Sequence, residues 1–185
     1  MTKKFNNRQN EEIKVDGKTY WISRSVAVVG VHLAEHNDKM YVLVEKRSAK
    51  MDCPGKWAVV SGYLDWDESA YDAVLRETIE ETGFDVLENR YWQVYNNNEE
   101  PIKVSSDPSR DARQNVTLIY MFVYEYADGL PLEVESFKND EVDDVMWLDV
   151  ELLSNDGLFS DPNVWAFHHD DVINNAIRKY NETFH

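Results

Sequence analysis

Between Gly62 and Phe84 the chain reads G-Y-L-D-W-D-E-S-A-Y-D-A-V-L-R-E-T-I-E-E-T-G-F, a run dense in carboxylates. Wound as a helix from Ser69 to Thr82 at 100° per residue, it lines Ala70, Ala73 and Val74 into an apolar stripe that faces a core. One and two turns on, the same stripe arrives at Glu77 and Glu81, with Glu80 beside them. Three carboxylates thus crowd an arc of roughly 120° where the pattern calls for apolar side chains. Repulsion and burial at such a place must be relieved by protons or by cations. Clustered hard oxygen ligands suit Mg²⁺ or Mn²⁺, so the spacing predicts a divalent-metal site rather than a solvated acidic face.

The same run resembles the signature of the Nudix hydrolases, G-x5-E-x7-R-E-U-x-E-E-x-G-U, where U is a bulky aliphatic residue. Gly62, Glu68, Arg76, Glu77, Glu80, Glu81 and Gly83 occupy all its fixed positions, and Thr78 stands at the first U. Thr78 keeps a β-branched shape and adds a hydroxyl, which bears on packing and not on the chemistry. The lead-in is Val60-Ser61-Gly62 where many relatives have Pro-Gly-Gly, which bears on the loop that holds the first metal.

The resemblance implies an α/β fold, an α/β/α sandwich around a mixed sheet. It also implies hydrolysis of a pyrophosphate bond with Mg²⁺ or Mn²⁺ as cofactor. Glu77, Glu80 and Glu81 match the metal-binding glutamates, and the Gly62 carbonyl completes the coordination in relatives. Arg76 and Glu68 match a pair that holds the helix and orients a glutamate. From the residues alone, Arg76 also makes an i,i+4 pair with Glu80, worth a few tenths of a kcal/mol. Relatives take the proton on a box glutamate such as Glu80 or Glu81, or on a distant loop glutamate. Glu141, in K-N-D-E-V-D-D, lies where such loop glutamates fall, and reads otherwise as a solvated acidic turn. Arg47, closing V-L-V-E-K-R, resembles an arginine aimed at substrate phosphate, and reads otherwise as an exposed strand end.

For the substrate, Ser106-Asp107-Pro108-Ser109-Arg110-Asp111-Ala112-Arg113 resembles a D-P-x-R-D-P-R segment with Ala112 at the second proline. That segment occurs in ADP-ribose pyrophosphatase-like Nudix proteins and in related regulators of NAD biosynthesis. It makes Arg110 and Arg113 candidate substrate contacts, against the plainer reading of an Asp-Pro turn feeding a strand. Pro101 falls close to a proline that ADP-ribose hydrolases often carry. Trp57, Trp66, Trp92 and Tyr95 could stack on a base, with core packing the default for each. His168-His169 reads as the start of a helix, not a metal pair, and Cys53 has no neighbour that would activate its thiol.

These residues need a scaffold. The β-rich runs are Lys18 to Ser23, Ser25 to Val31, Met40 to Lys46, Trp57 to Val60, Tyr91 to Tyr95, Val116 to Tyr126 and Val145 to Leu148. A hairpin-like stretch at Glu35 to Lys39 joins the second and third. The acidic helix carries Tyr71, Leu75 and Ile79 on its other side, as if packed between layers. Gly83 sits where a C-terminal glycine ends a helix. A polar loop runs over 96–115, and loops of that length tend to be functional. Val172, Ile173, Ala176, Ile177 and Tyr180 outline an amphipathic last helix. Residues 1–17 read as a polar arm, and 18–185 as a single domain.

The chain of 185 residues is 43% hydrophobic and 12% aromatic, enough for a packed core. Its formal charge of −16 disfavours nucleic-acid partners, so a phosphorylated substrate must meet local cations. A single cysteine, no leader-like segment and no membrane-length apolar run lead to the expectation of a cytoplasmic protein without a membrane partner. The partner expected is a small nucleoside diphosphate derivative. Dimerisation is common in relatives, so a homodimer is expected on the resemblance alone. The rival function is a non-catalytic nucleotide sensor, against which the chain keeps every box glutamate and has only a short stretch after Asp149. Hydrolysis of nucleoside triphosphates or of capped or 5′-triphosphate RNA is a further alternative.

Overall fold

The structure, a computed structural model, describes residues 11–22, 26–85, 92–95, 100–106, 115–126 and 137–184. Two tight turns open it. Asp16 and Gly17, at φ 52° and 74°, join β1 (Glu11–Val15) to β2 (Lys18–Ile22). Asn37 and Asp38, at φ 50° and 59°, join β3 (Val26–His36) to β4 (Lys39–Arg47). Positive φ at both central residues matches the twist of the flanking strands, and Asn, Asp and Gly tolerate it. The second turn lies inside the expected Glu35 to Lys39 hairpin. The first corrects the polar arm, since Glu11–Val15 is a strand paired to β2. Its Asp-Gly signal outweighs the polar composition around it.

The rest of the chain gives β5 (Trp57–Ala58), β6 (Val60–Tyr63), α1 (Ala70–Thr82), β7 (Trp92–Tyr95), β8 (Lys103–Ser105), β9 (Val116–Tyr126) and β10 (Val142–Asp149). Three short 3-10 turns, Val150–Leu153, Leu158–Ser160 and Pro162–Val164, lead into α2 (His169–Phe184). The central sheet runs β10-β4-β3-β9-β7, with β3 and β9 parallel and its other pairs antiparallel. The one strand expected over Trp57 to Val60 is two, because the chain changes partner at Val59. β5 pairs with the end of β4, while β6 pairs with the start of β3. β8 breaks the expected loop over 96–115 by pairing with β9.

Alternation along the central strands builds two cores. Val29, Val31, Leu33, Val42, Val44, Ile119, Met121 and Val123 meet Ile173, Ala176 and Tyr180 of α2. Val28, Leu43, Tyr120, Phe122, Tyr124, Val145 and Trp147 meet Ala73 and Val74 of α1. The architecture is the α/β/α sandwich around a mixed sheet. α1 is buried on one side only: Ile79 is 43% exposed, so the second apolar face is a partial one. Thr78 lies on the buried side instead.

Candidate active site

The start of β3 is covered by β6 and its end by β4, so β4 peels away from β3 toward its own C-terminus. α1 lies beside this opening and makes most of its contacts with β6 and β3. Its ends are sharply defined. Ser69 accepts from the Asp72 amide and Asp72 answers to the Ser69 amide, a reciprocal N-cap. At the other end Gly83 adopts φ 68°, and a Cβ there would also meet the Phe137 ring at 2.6 Å.

Arg76 organises the carboxylates. Its Nε and Nη2 donate to the two oxygens of Glu68 at 3.0 and 2.9 Å. Nη1 donates to Glu77 Oε1 at 2.7 Å and Glu80 Oε2 at 2.9 Å, and Nη2 also reaches the Tyr63 carbonyl at 3.1 Å. Glu68 further accepts from the Asp65 amide at 2.7 Å, which ties the fork to the loop before α1. Sequence-expected Arg76, Glu68, Glu77 and Glu80 are therefore brought together. Burial alone would lower the arginine pKa, but Glu68 and Glu77 more than offset it, so the guanidinium stays charged.

Glu81 is buried against the lead-in of the box, where its Oε2 accepts from the Ser61 amide at 2.9 Å. Ser61, at the departure from Pro-Gly-Gly, thus supplies its backbone to the site. Gly62 lies alongside: a Cβ there would sit inside the Glu77 carboxyl, with even Oε2 only 2.7 Å away. Burial raises the Glu81 carboxyl well above its ordinary value, and Glu45 and Glu77 push it further in the same direction. Glu77 is raised to about 7 by burial, opposed by Arg76 and helped by Glu80 and Glu141.

Glu45 is the residue that the sequence reading missed. It is fully buried on β4, and its Oε1 accepts from Arg47 Nη1 at 3.4 Å. Its Oε2 meets no fixed hydrogen-bond donor. Burial raises its pKa to about 8 against the pull of Arg47 and a shared hydrogen bond with Glu81. A period-2 count along M-Y-V-L-V-E-K-R places Glu45 in line with Leu43 and Arg47, which was the available signal.

Arg47 is not an exposed strand end. It is buried, donates from Nε to the Asp52 carbonyl at 2.7 Å, and lies over the Phe167 ring at 5.1 Å. Glu141 is exposed at the mouth of the group, close enough for its charge to act on Glu45 and Glu77. Its loop is pinned to the end of α1 by Asn139, whose Nδ2 donates to the Glu80 carbonyl at 2.7 Å. Arg110 and Arg113, with most of the D-P-x-R-D-P-R-like segment, lie outside the described residues, as do the side chains of Trp92 and Tyr95. Trp57 is core, whereas Trp66 is 62% exposed, against the default for it. His169 is buried and accepts from the Val59 amide at 3.1 Å, while His168 is exposed, so the two do not form a metal pair.

Six carboxylates, those of Glu45, Glu68, Glu77, Glu80, Glu81 and Glu141, thus face two guanidinium groups, Arg47 and Arg76. Among the described residues no three Asp, Glu, His or Cys side chains converge closely enough to hold a metal ion as they stand. The orphaned Glu45 oxygen and the excess of buried carboxylates nevertheless fit a hard divalent cation, which Mg²⁺ sites bind with one or two carboxylates and several waters.

A NUDIX domain model matches residues 23–168. The chain belongs to the Nudix family. No curated protein matches it. Among solved structures, the Nudix domain of Shewanella oneidensis NrtR complexed with ADP ribose is similar, at 24% identity and TM-score 0.57 over 84% of this chain and 87% of that one. A bifunctional NMN adenylyltransferase/ADP ribose pyrophosphatase from Francisella tularensis, complexed with AMP and a Mn ion, matches at 21% identity and TM-score 0.53, covering 83% of this chain and 41% of that one. An Ap4A hydrolase from C. elegans matches at 14% identity and TM-score 0.53, covering 86% and 98%. The Nudix chain described here spans 63% of the S. oneidensis NrtR structure complexed with a 27mer DNA. At these identities the likeness is one of fold. No helix among the described residues is long and apolar enough to cross a membrane.

Proposed function

We propose that this Nudix protein is a divalent-metal-dependent pyrophosphohydrolase acting on a nucleoside diphosphate linked to another moiety, with an ADP-ribose-like substrate favoured. The observation that carries the reading is the Arg76 fork, which holds Glu68, Glu77 and Glu80 while Glu81 is separately pinned to the Ser61 amide. Glu77, Glu80 and Glu81 with the Gly62 carbonyl would hold Mg²⁺ or Mn²⁺. The chemistry such a cation supplies when bound is neutralisation of phosphate charge and acidification of a water. Arg76 orients the glutamates, and the Ser61 amide keeps Glu81 from swinging into solvent. Glu141, exposed beside Glu45 and Glu77, is the candidate proton acceptor, with Glu80 and Glu81 the box alternatives. Arg47 is the guanidinium beside Glu45 and Glu81 and the candidate for a substrate phosphate. Arg110 and Arg113 are assigned to the far moiety on the sequence segment alone.

A second reading, a nucleotide sensor, is favoured by one comparison: one solved NrtR structure holds ADP ribose and another a 27mer DNA. The net charge of −16 speaks against this chain gripping DNA by itself and favours a small-molecule partner, and the single cysteine fits the reducing cytoplasm.

The two readings separate on one experiment. Purified protein in Mg²⁺ is given ADP-ribose, NADH, dinucleoside polyphosphates, nucleotide sugars and nucleoside triphosphates, with phosphate-bearing products read out. Turnover of ADP-ribose ahead of the triphosphates is expected. Saturable ADP-ribose binding with no product in Mg²⁺ or Mn²⁺ would instead mark a sensor.

A further inference from the structure

Glu45 is a buried carboxylate that neither the box signature nor the proposed reaction uses. It projects from β4 where that strand has separated from β3, on the α1 side of the sheet with Leu43. Its neighbours on the same strand, Val42, Leu43 and Val44, are all fully buried and apolar. An apolar residue would fill this position without electrostatic cost. A glutamate there surrenders its hydration and needs donors in exchange.

The donors are lacking. Oε1 has one long bond, 3.4 Å, from Arg47, and Oε2 meets no fixed donor. Arg47 is engaged elsewhere as well, through Nε to the Asp52 carbonyl and through its face to Phe167. The other groups acting on Glu45 are Glu81, which shares a hydrogen bond with it when one of the two carboxyls is protonated, and the charges of Glu141 and Glu77. Glu81 in turn has Ser61 N–H on Oε2, with Glu45 and Glu77 and, more weakly, Arg47 as its charged company. Two buried carboxylates from different elements therefore face one another, joined only while a proton lies between them, and Glu45 Oε2 has no fixed donor.

We propose that Glu45 is a strand-borne ligand that would hold the divalent cation together with Glu81. This rests on the metal-dependent reading above and adds a ligand from outside the box. Two carboxylates suffice, because Mg²⁺ keeps several waters and demands no all-protein cage. A ligand on β4 couples the cation to the sheet as well as to α1. With Glu45 committed to the cation, the charge of Arg47 is left for an anionic ligand.

The test is Mn²⁺ binding to the full chain at pH 8 without substrate, followed by the electron paramagnetic resonance signal of free Mn²⁺ on titration with MnCl2. Glu45→Gln keeps shape and removes the charge. It is expected to weaken the tightest Mn²⁺ site by on the order of tenfold or more. In EDTA the same variant should melt no lower than the wild type, and it should lose most of the Mn²⁺-induced rise in melting temperature. Wild-type Mn²⁺ affinity in Glu45→Gln, alongside loss in Glu81→Gln, overturns the Glu45 assignment and leaves the metal-dependent reading standing. A wild-type protein that binds no Mn²⁺ overturns both. Should Glu45→Gln fail to fold, Glu45→Asp decides, since it keeps the charge one methylene short of the cation. Unchanged Mn²⁺ affinity there overturns the assignment, and weakened affinity in a folded protein supports it.

Discussion

The carboxylate of Glu77 lies against the α-carbon of Gly62, across the gap between α1 and β6. No side chain fits between them, so the glycine is required by close approach and not by a special backbone angle. That contact keeps Glu77 within reach of Arg76 Nη1, where the carboxyl is largely desolvated.

Gly62→Ala should therefore displace Glu77 from the Arg76 fork while leaving the strand pairing of β6 intact. We expect kcat/KM to fall by about 10²-fold or more, the scale of misplacing a charge-stabilising group. Gly157→Ala is the control, since φ there is extended at 177° and the nearest atom to an added Cβ is 3.9 Å away. Equal activity in the two variants would remove Glu77 from the site.

Glu81→Gln should lower kcat by at least about 10²-fold, and excess chelator should abolish turnover. Folding should survive, because the change removes one of several mutually repelling charges. In metal-free protein Glu77 and Glu45 are raised to about 7 and about 8. Both folded values lie above the unfolded value of about 4.5, so their protonation stabilises the free protein at low pH. That contribution is lost progressively as pH rises from about 4.5, and is gone above about 8. Mg²⁺ must displace those protons, so its affinity should increase from pH 6 to 8.5, with proton release seen by calorimetry in buffers of different ionisation heat. Affinity independent of pH would mean that neither carboxylate meets the cation.

Much of this was legible in the chain. The limits of α1 follow from Ser69 and Gly83, and Val116–Tyr126 is a strand over the span its β-branched and aromatic residues mark out. What escaped was burial that overrides residue type. Glu45 and His32 are polar residues on fully buried strand positions, and composition alone assigns such side chains to the surface. The Asp16-Gly17 turn was hidden by the charges around it. Arg110 and Arg113 rest on the sequence alone.

Thr78 is explained by His32. The Tyr124 hydroxyl lies 2.6 Å from His32 Nδ1, and His32 Nε2 lies 2.9 Å from Thr78 Oγ1, which donates to the Val74 carbonyl at 2.7 Å. The consistent assignment has Tyr124 donating to Nδ1 and Nε2–H donating to Thr78. An aliphatic residue at position 78 would strand that buried N–H. Thr78→Val should thus cost about 1–3 kcal/mol of unfolding free energy, measured in urea. Combined with His32→Leu the loss should be less than the sum of the two singles. Strict additivity would show that the hydrogen bond carries no coupling.

Acid acts on the protein through its buried histidines. His32 and His169 are both buried, and burial lowers each to about 3. The unfolded chain takes up these protons below about 6.5 while the folded chain does not, so stability from each is complete above 6.5 and is lost as pH falls toward 3. Between pH 6.5 and 5 the loss is about 2 kcal/mol per histidine. The raised carboxylates act in the opposite direction over this range, so the net curve of the wild type does not isolate the histidines. The difference between wild type and His32→Gln does, since the carboxylates cancel. Whatever its stability at pH 7.5, the variant should lose about 2 kcal/mol less than the wild type on going from pH 6.5 to 5. Parallel pH profiles for the two proteins would mean that His32 takes up its proton in the folded state, and that the Tyr124–His32–Thr78 chain opens to accept it.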